Sequence, residues 1–128
     1  MQRKFVRYAL RRLPWRDPLN LPPYDSRCAL IELDTLKARR NVCSALVVSD
    51  LLLSKTDCRS LLERIQLRTR SRASRSHTMV QIPFQRTNYG MRSAFIGCLR
   101  IFNYVANLFD FNLSRSVLKA KFLSVLKQ

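Results

Sequence analysis

Apolar residues recur at helical spacing along most of this chain. Phe5, Val6, Ala9, Leu10 and Leu13 share one helix face, with Lys4, Arg7, Arg11 and Arg12 around the rest. The pattern predicts a basic amphipathic helix ended by Pro14. Because it starts almost at Met1 without a capping signal, the chain reads as though cut from a longer protein. Pro18, Pro22 and Pro23 predict an extended connector from Trp15 to Tyr24. A short helix is expected over Asp25–Leu33, then a longer one over Thr35–Leu53 with Asp34 as its N-cap. The second half of that helix, from Val42 to Leu53, is apolar nearly all round, which predicts a central position packed on several sides. Asp57 is expected to cap a further helix carrying Leu61, Leu62 and Ile65.

The run from Leu67 to His77 breaks this periodicity. Four arginines alternate there with Ser and Thr, and only Leu67 and Ala73 are apolar, so a flexible arm is expected. Met79–Phe84 alternates weakly and suggests a short extended piece, held to a sheet edge by Pro83. Phe95, Leu99, Phe102, Ala106 and Phe109 then mark a clear amphipathic helix, with Arg100, Asn103 and Asn107 opposite. A last helix over Ser114–Leu126 turns Leu118, Phe122, Val125 and Leu126 inward and Lys119, Lys121 and Lys127 outward. With only Gly90 and Gly97 as glycines, a turn-rich β fold is disfavoured. The expectation is all-α: a small irregular domain of five to six helices with a basic flexible loop. It divides into a basic helix and connector (1–16), a helical segment (17–66), the arm (67–78) and a second helical segment (79–128) packing on 17–66.

Charge changes the picture from fold to partner. The 128 residues hold 24 basic and 8 acidic groups, a formal +16, which points to a polyanion. The excess is uneven. Residues 1–16 carry six basic and no acidic groups, 17–63 are nearly neutral, and 64–109 carry eight arginines without one acid. Backbone binding to RNA or DNA is the expected role of Arg3, Lys4, Arg7, Arg11 and Arg12, and of Arg68, Arg70, Arg72 and Arg75 in the arm. A solvated helix face and a plain loop are the competing readings. Tyr89 in RTNYG can stack on a base or anchor a turn.

The chain's chemistry excludes more than it offers. Two-metal nucleotidyl transfer needs converging carboxylates. The densest acidic group, Asp25, Glu32 and Asp34, is explained by helix ends and capping. Neither a Gly-rich phosphate loop nor a GxSxG or HExxH motif is present, so catalysis is not expected of this chain alone. Cys28, Cys43, Cys58 and Cys98 form no CxxC pair and share the sequence with a single His77, which leaves reduced, mostly buried thiols and no expected metal or cofactor. Val42–Leu53 is too short for a membrane span. The opening lacks a secretory signal core, and although it formally resembles a mitochondrial presequence, a nuclear or cytoplasmic location fits better.

Several segments in order, QRKFVRYALRRL, LPPYDSRCALIELDTLKARRNV, IPFQRTNYG, LRIFNYV and FDFNLSRSVLKAKF, together resemble the C-terminal tail of jockey-like non-LTR retrotransposon reverse transcriptases. The resemblance implies that the opening helix is the end of a polymerase thumb and the rest a helical tail. Its parent activity would be RNA-directed DNA synthesis, with fingers, palm and endonuclease outside this sequence. Arg3, Lys4, Phe5 and Arg7 would then lie nearest template and primer, while Arg86, Asn88, Tyr89 and Gly90 match the tail's most recognisable motif. A thumb helix without its palm is expected to be loosely held, with Phe5, Val6 and Leu10 facing water. Two other readings stand beside this one: an inert helical remnant, and a module that binds a protein or an acidic surface through an exposed Val42–Leu53 helix.

Overall fold

The computed structural model describes residues 2–12, 22–68 and 78–127. Among them are seven α-helices and one two-stranded antiparallel ribbon, so the all-α expectation holds at the level of class. The order is α1 (Gln2–Arg12), α2 (Tyr24–Leu30), α3 (Leu36–Leu52), α4 (Arg59–Leu62), β1 (Gln66–Leu67), β2 (Val80–Gln81), α5 (Asn88–Met91), α6 (Ala94–Val105) and α7 (Arg115–Leu126). The helices exceed the expected five or six because α4 and α5 are single turns.

α3 is the central element, packed on α6 along one side and α7 along another. Its near-continuous apolar half explains this, since a helix apolar all round must be covered on several faces. Val42, Ala45 and Leu46 meet Val105, Leu118 and Phe122 in one buried cluster. Val48 meets Ile96, Leu99, Phe102 and Val80 in a second. Phe102 and Phe122 are fully buried, each contributing about 1.5–3 kcal/mol by removal from water. The protein-binding reading of Val42–Leu53 is therefore corrected: α6 and α7 already cover this helix, and only Cys43 and Val47 face solvent along its apolar half.

Helix ends account for most differences between pattern and structure. Thr35, not Asp34, is the N-cap of α3, its hydroxyl accepting from the Ala38 N–H at 3.2 Å. Asp34 instead binds Lys127 Nζ at 2.7 Å. Thr87, Ser93 and Ser114 cap α5, α6 and α7 in the same hydroxyl-to-amide manner. Asp57 caps nothing; Cys58 precedes the single turn of α4 without a side-chain bond to a first-turn amide, and the chain leaves for the ribbon just after Ile65. The Phe95–Phe109 pattern is interrupted after Val105 by a 3-10 turn over Ala106–Leu108. Phe109 still reaches the core, its ring edge-on to Phe102 at 5.3 Å.

α2 and α3 end in the same motif. Beyond α2, Glu32 takes a left-handed conformation (φ 51°), the Glu32 N–H bonds Ala29 O at 3.1 Å and the Leu33 N–H bonds Cys28 O at 2.9 Å. Beyond α3, Ser54 (φ 52°) repeats this, with Ser54 N–H to Leu51 O and Lys55 N–H to Asp50 O. These are Schellman closures built without glycine. Glu32 is thus a helix-terminating residue at a carboxyl end, where its charge is unfavourable.

The expectation that Val6 and Leu10 face water is overturned. Both are buried, packed with Cys28 and flanked by Tyr24, Ile31 and Leu33. α2 and the turn after it supply the apolar surface that covers them. Phe5 does face solvent, at 58% exposure. The thiols also differ from expectation: only Cys28 is buried, Cys43 is exposed, and Cys58 and Cys98 are half-buried.

Candidate nucleic-acid interface

α1 is held by its apolar stripe, and this fixes where its cations point. With Val6 and Leu10 turned toward α2, Arg7 and Arg11 lie at i and i+4 on the outer side with Lys4 beside them, while Arg3, one turn earlier, sits at the edge of the buried stripe. Four residues of α-helix rise about 6 Å, so Arg7 and Arg11 leave the backbone at a spacing comparable to that of successive phosphates along a strand. All four are exposed. Arg12 lies over the Tyr8 ring at 5.1 Å, and Arg3 over the Tyr24 ring at 5.4 Å. Among the described residues, the ion pairs are Arg59–Glu63, Arg115–Asp50 and Lys127–Asp34, and none involves an α1 cation.

The other sequence-derived positions are scattered. Arg68 follows β1 at the root of the arm, its backbone N–H on Met79 O at 2.9 Å and its Nη1 on Thr78 Oγ1 at 3.2 Å. Arg70, Arg72 and Arg75 lie outside the described residues. Arg86 and Tyr89 are exposed, Tyr89 at 90%, on and beside the short α5, where Thr87 Oγ1 accepts from the Gly90 N–H at 3.1 Å. A Cβ at Gly90 would stand 3.0 Å from Gln85 Cβ, so glycine permits that close approach. The structure thus unites the α1 cations on one element and puts Arg86 and Tyr89 on another.

Sequence reasoning missed a second basic region. Arg3, Tyr24, Lys37 and Arg40 line a hollow of about 610 Å³ between α1, α2 and the first turns of α3. Lys37, Arg100, Tyr104 and Lys127 line a neighbouring hollow of about 580 Å³ between α3, α6 and the end of α7. Asp25, Thr35, Lys37 and Asn41 border both, so the two adjoin. Arg100 also reaches Met91 Sδ at 3.9 Å, linking this region to α5. The i, i+3 and i, i+4 spacings of Lys37–Arg40 and Arg100–Tyr104 were visible in the sequence. Their convergence with Arg3 depends on the packing of three helices, which no local spacing encodes.

Among the described residues, no group of three or more His, Cys, Asp or Glu side chains converges as a metal site, and no helix is long and apolar enough to cross a membrane. Comparison with protein-family models, curated proteins and solved structures finds no match.

Proposed function

We propose that this chain is a nucleic-acid-binding helical segment that holds the RNA or DNA backbone through α1 and contributes no catalytic centre of its own. The observation that carries the reading is the outer ridge of α1: regularly spaced, exposed cations with no carboxylate in ion-pair distance among the described residues. Cations already paired within the fold gain little from a phosphate; Lys4, Arg7 and Arg11 have no carboxylate partner among the described residues and can displace its condensed counterions. The resemblance to reverse transcriptase tails supports placing the segment beside a polymerase palm encoded in the same reading frame, acting in the nucleus or cytoplasm. Asp34, Asp50 and Glu63 are engaged in ion pairs within the fold, which fits nucleotidyl transfer residing in that palm.

The test is binding of the purified chain to a primed RNA template and to duplex DNA across a salt series. A steep fall in affinity with salt is expected. Substituting Arg7→Gln and Arg11→Gln should flatten the duplex slope by about 0.9 per lost phosphate contact. Absence of binding even at low salt would make the charge incidental and the chain an inert remnant. An upstream frame without the paired aspartates of a palm would remove the polymerase context while leaving the binding result intact.

A further inference from the structure

We infer that the groove formed by the two adjoining hollows between α1, α3 and α6 is a seat for a single-stranded stretch of nucleic acid, distinct from the convex α1 ridge. This rests on the nucleic-acid reading above and deepens it, naming the form of the ligand and where it lies. Three observations converge. The first is charge: Arg3, Lys37 and Arg40 border one hollow, Lys37 and Arg100 the other, and the two share Asp25, Thr35, Lys37 and Asn41 along their common edge. The second is an open aromatic face: Tyr104 is 67% exposed, stands one helical turn from Arg100 and lines the groove beside it. The third is volume: each hollow, about 610 and 580 Å³, falls within the roughly 300–1,000 Å³ typical of sites for small organic molecules and has room for a base with its sugar.

A paired helix presents its phosphates outward and its bases stacked, so it can use the α1 ridge but offers no free base face to Tyr104. A single strand offers both, and a base stacked on an exposed ring next to phosphate-binding cations is the recurrent arrangement for strand binding without sequence preference. Asp25 borders both hollows and opposes this binding, because its carboxylate repels the phosphates that the neighbouring cations attract. The backbone therefore runs along the Lys37–Arg40 side. Lys127, drawn to Asp34 at 2.7 Å, is partly neutralised and adds less.

The experiment measures fluorescence anisotropy of labelled oligouridylate and of a duplex of equal length, with the full chain and exposed-site variants checked for folding by circular dichroism. Tyr104→Ala should weaken the single strand roughly tenfold and leave the duplex nearly unchanged, while Tyr104→Phe keeps the ring and the affinity. Lys37→Gln with Arg40→Gln should weaken the single strand roughly tenfold and lower its salt slope. Asp25→Asn should raise single-strand affinity. If these groove variants leave oligouridylate binding unaltered while Arg7→Gln with Arg11→Gln still weakens both ligands, the groove assignment is wrong and the backbone-binding reading survives. Equal losses for strand and duplex with Tyr104→Ala would likewise overturn it. A wild-type chain that binds neither ligand overturns both.

Discussion

The Asn103 side-chain amide pairs with both backbone groups of Val80, donating from Nδ2 to the carbonyl at 2.7 Å and accepting at Oδ1 from the N–H at 2.9 Å. A residue of α6 thereby acts as a substitute strand for β2, fastening the ribbon to the helical core where Val80 is buried. Asn103→Leu would leave two largely enclosed backbone groups unpaired. The expected cost is about 1–3 kcal/mol. Urea denaturation should show it, and hydrogen exchange at the Val80 amide should accelerate well beyond that of α3.

The docking of α1 is a second testable point, since it decides whether the basic ridge is a fixed surface. Leu10 is 1% exposed and Val6 fully buried, but their cluster is small and holds only Cys28 as a further fully buried member. Leu10→Ala should cost about 2–5 kcal/mol if α1 unfolds with the core. A smaller loss, with exchange rising in α1 alone, would show that α1 opens as a separate unit and that the ridge is only intermittently presented.

Glu32 and Ser54 occupy left-handed positions that suit glycine. Glu32→Gly removes both the steric cost of a side chain there and a negative charge at the carboxyl end of α2, so it should stabilise the fold by about 0.5–1 kcal/mol. Ser54→Gly relieves the steric part alone and should gain less. Thermal melts of the two variants order these contributions; a loss of stability with Glu32→Gly would contradict the closure described here.

The legibility of the sequence followed the range of each interaction. α1, α3, α6 and α7 were visible because each buries a stripe whose period is set within the helix itself. The choice between Asp34 and Thr35 as cap was not visible, because both side chains can accept from a first-turn amide, and the partner that engages Asp34 instead, Lys127, lies 93 positions away. α5 was missed because a single capped turn has no periodicity to detect. Burial of Val6 and Leu10 was misjudged for a similar reason: the stripe was legible, and its partner on α2 was not. The groove had the same limit, since Arg3, Lys37 and Arg100 come to border adjoining hollows only after three helices have packed.

Asp50 lies near the end of α3 with its side chain 11% exposed; Oδ2 binds Arg115 Nε at 3.0 Å, and Oδ1 is buried without a partner. Desolvating this carboxylate is costly, and one exposed arginine only partly offsets it. Removing each partner should therefore give unequal results. Arg115→Ala strands a buried charge and is expected to cost about 1–3 kcal/mol. Asp50→Asn, which leaves Arg115 to solvent, should cost less. Equal losses by chemical denaturation would mean that the pair is a net stabilising bridge after all.

Tyr24 couples the α1–α2 contact to pH. A hydrogen bond with the Cys28 side chain is the main cause holding its phenol pKa above the ordinary 10.0, with burial adding in the same direction and a backbone bond at Leu36 and the Arg3 charge opposing. The folded state therefore favours the protonated phenol. A raised folded pKa contributes stability that is fully present below the unfolded value and is lost as pH rises through the folded one. Acid and neutral solutions should leave the α1–α2 contact intact, whereas alkaline titration past the ordinary tyrosine range should loosen it. Cys28→Ala removes the principal cause, so the Tyr24 ring carbon resonances should titrate at lower pH than in the wild type. An unchanged midpoint would show that the thiol does not hold the phenol, and that Tyr24 is fixed only by its packing beneath Arg3.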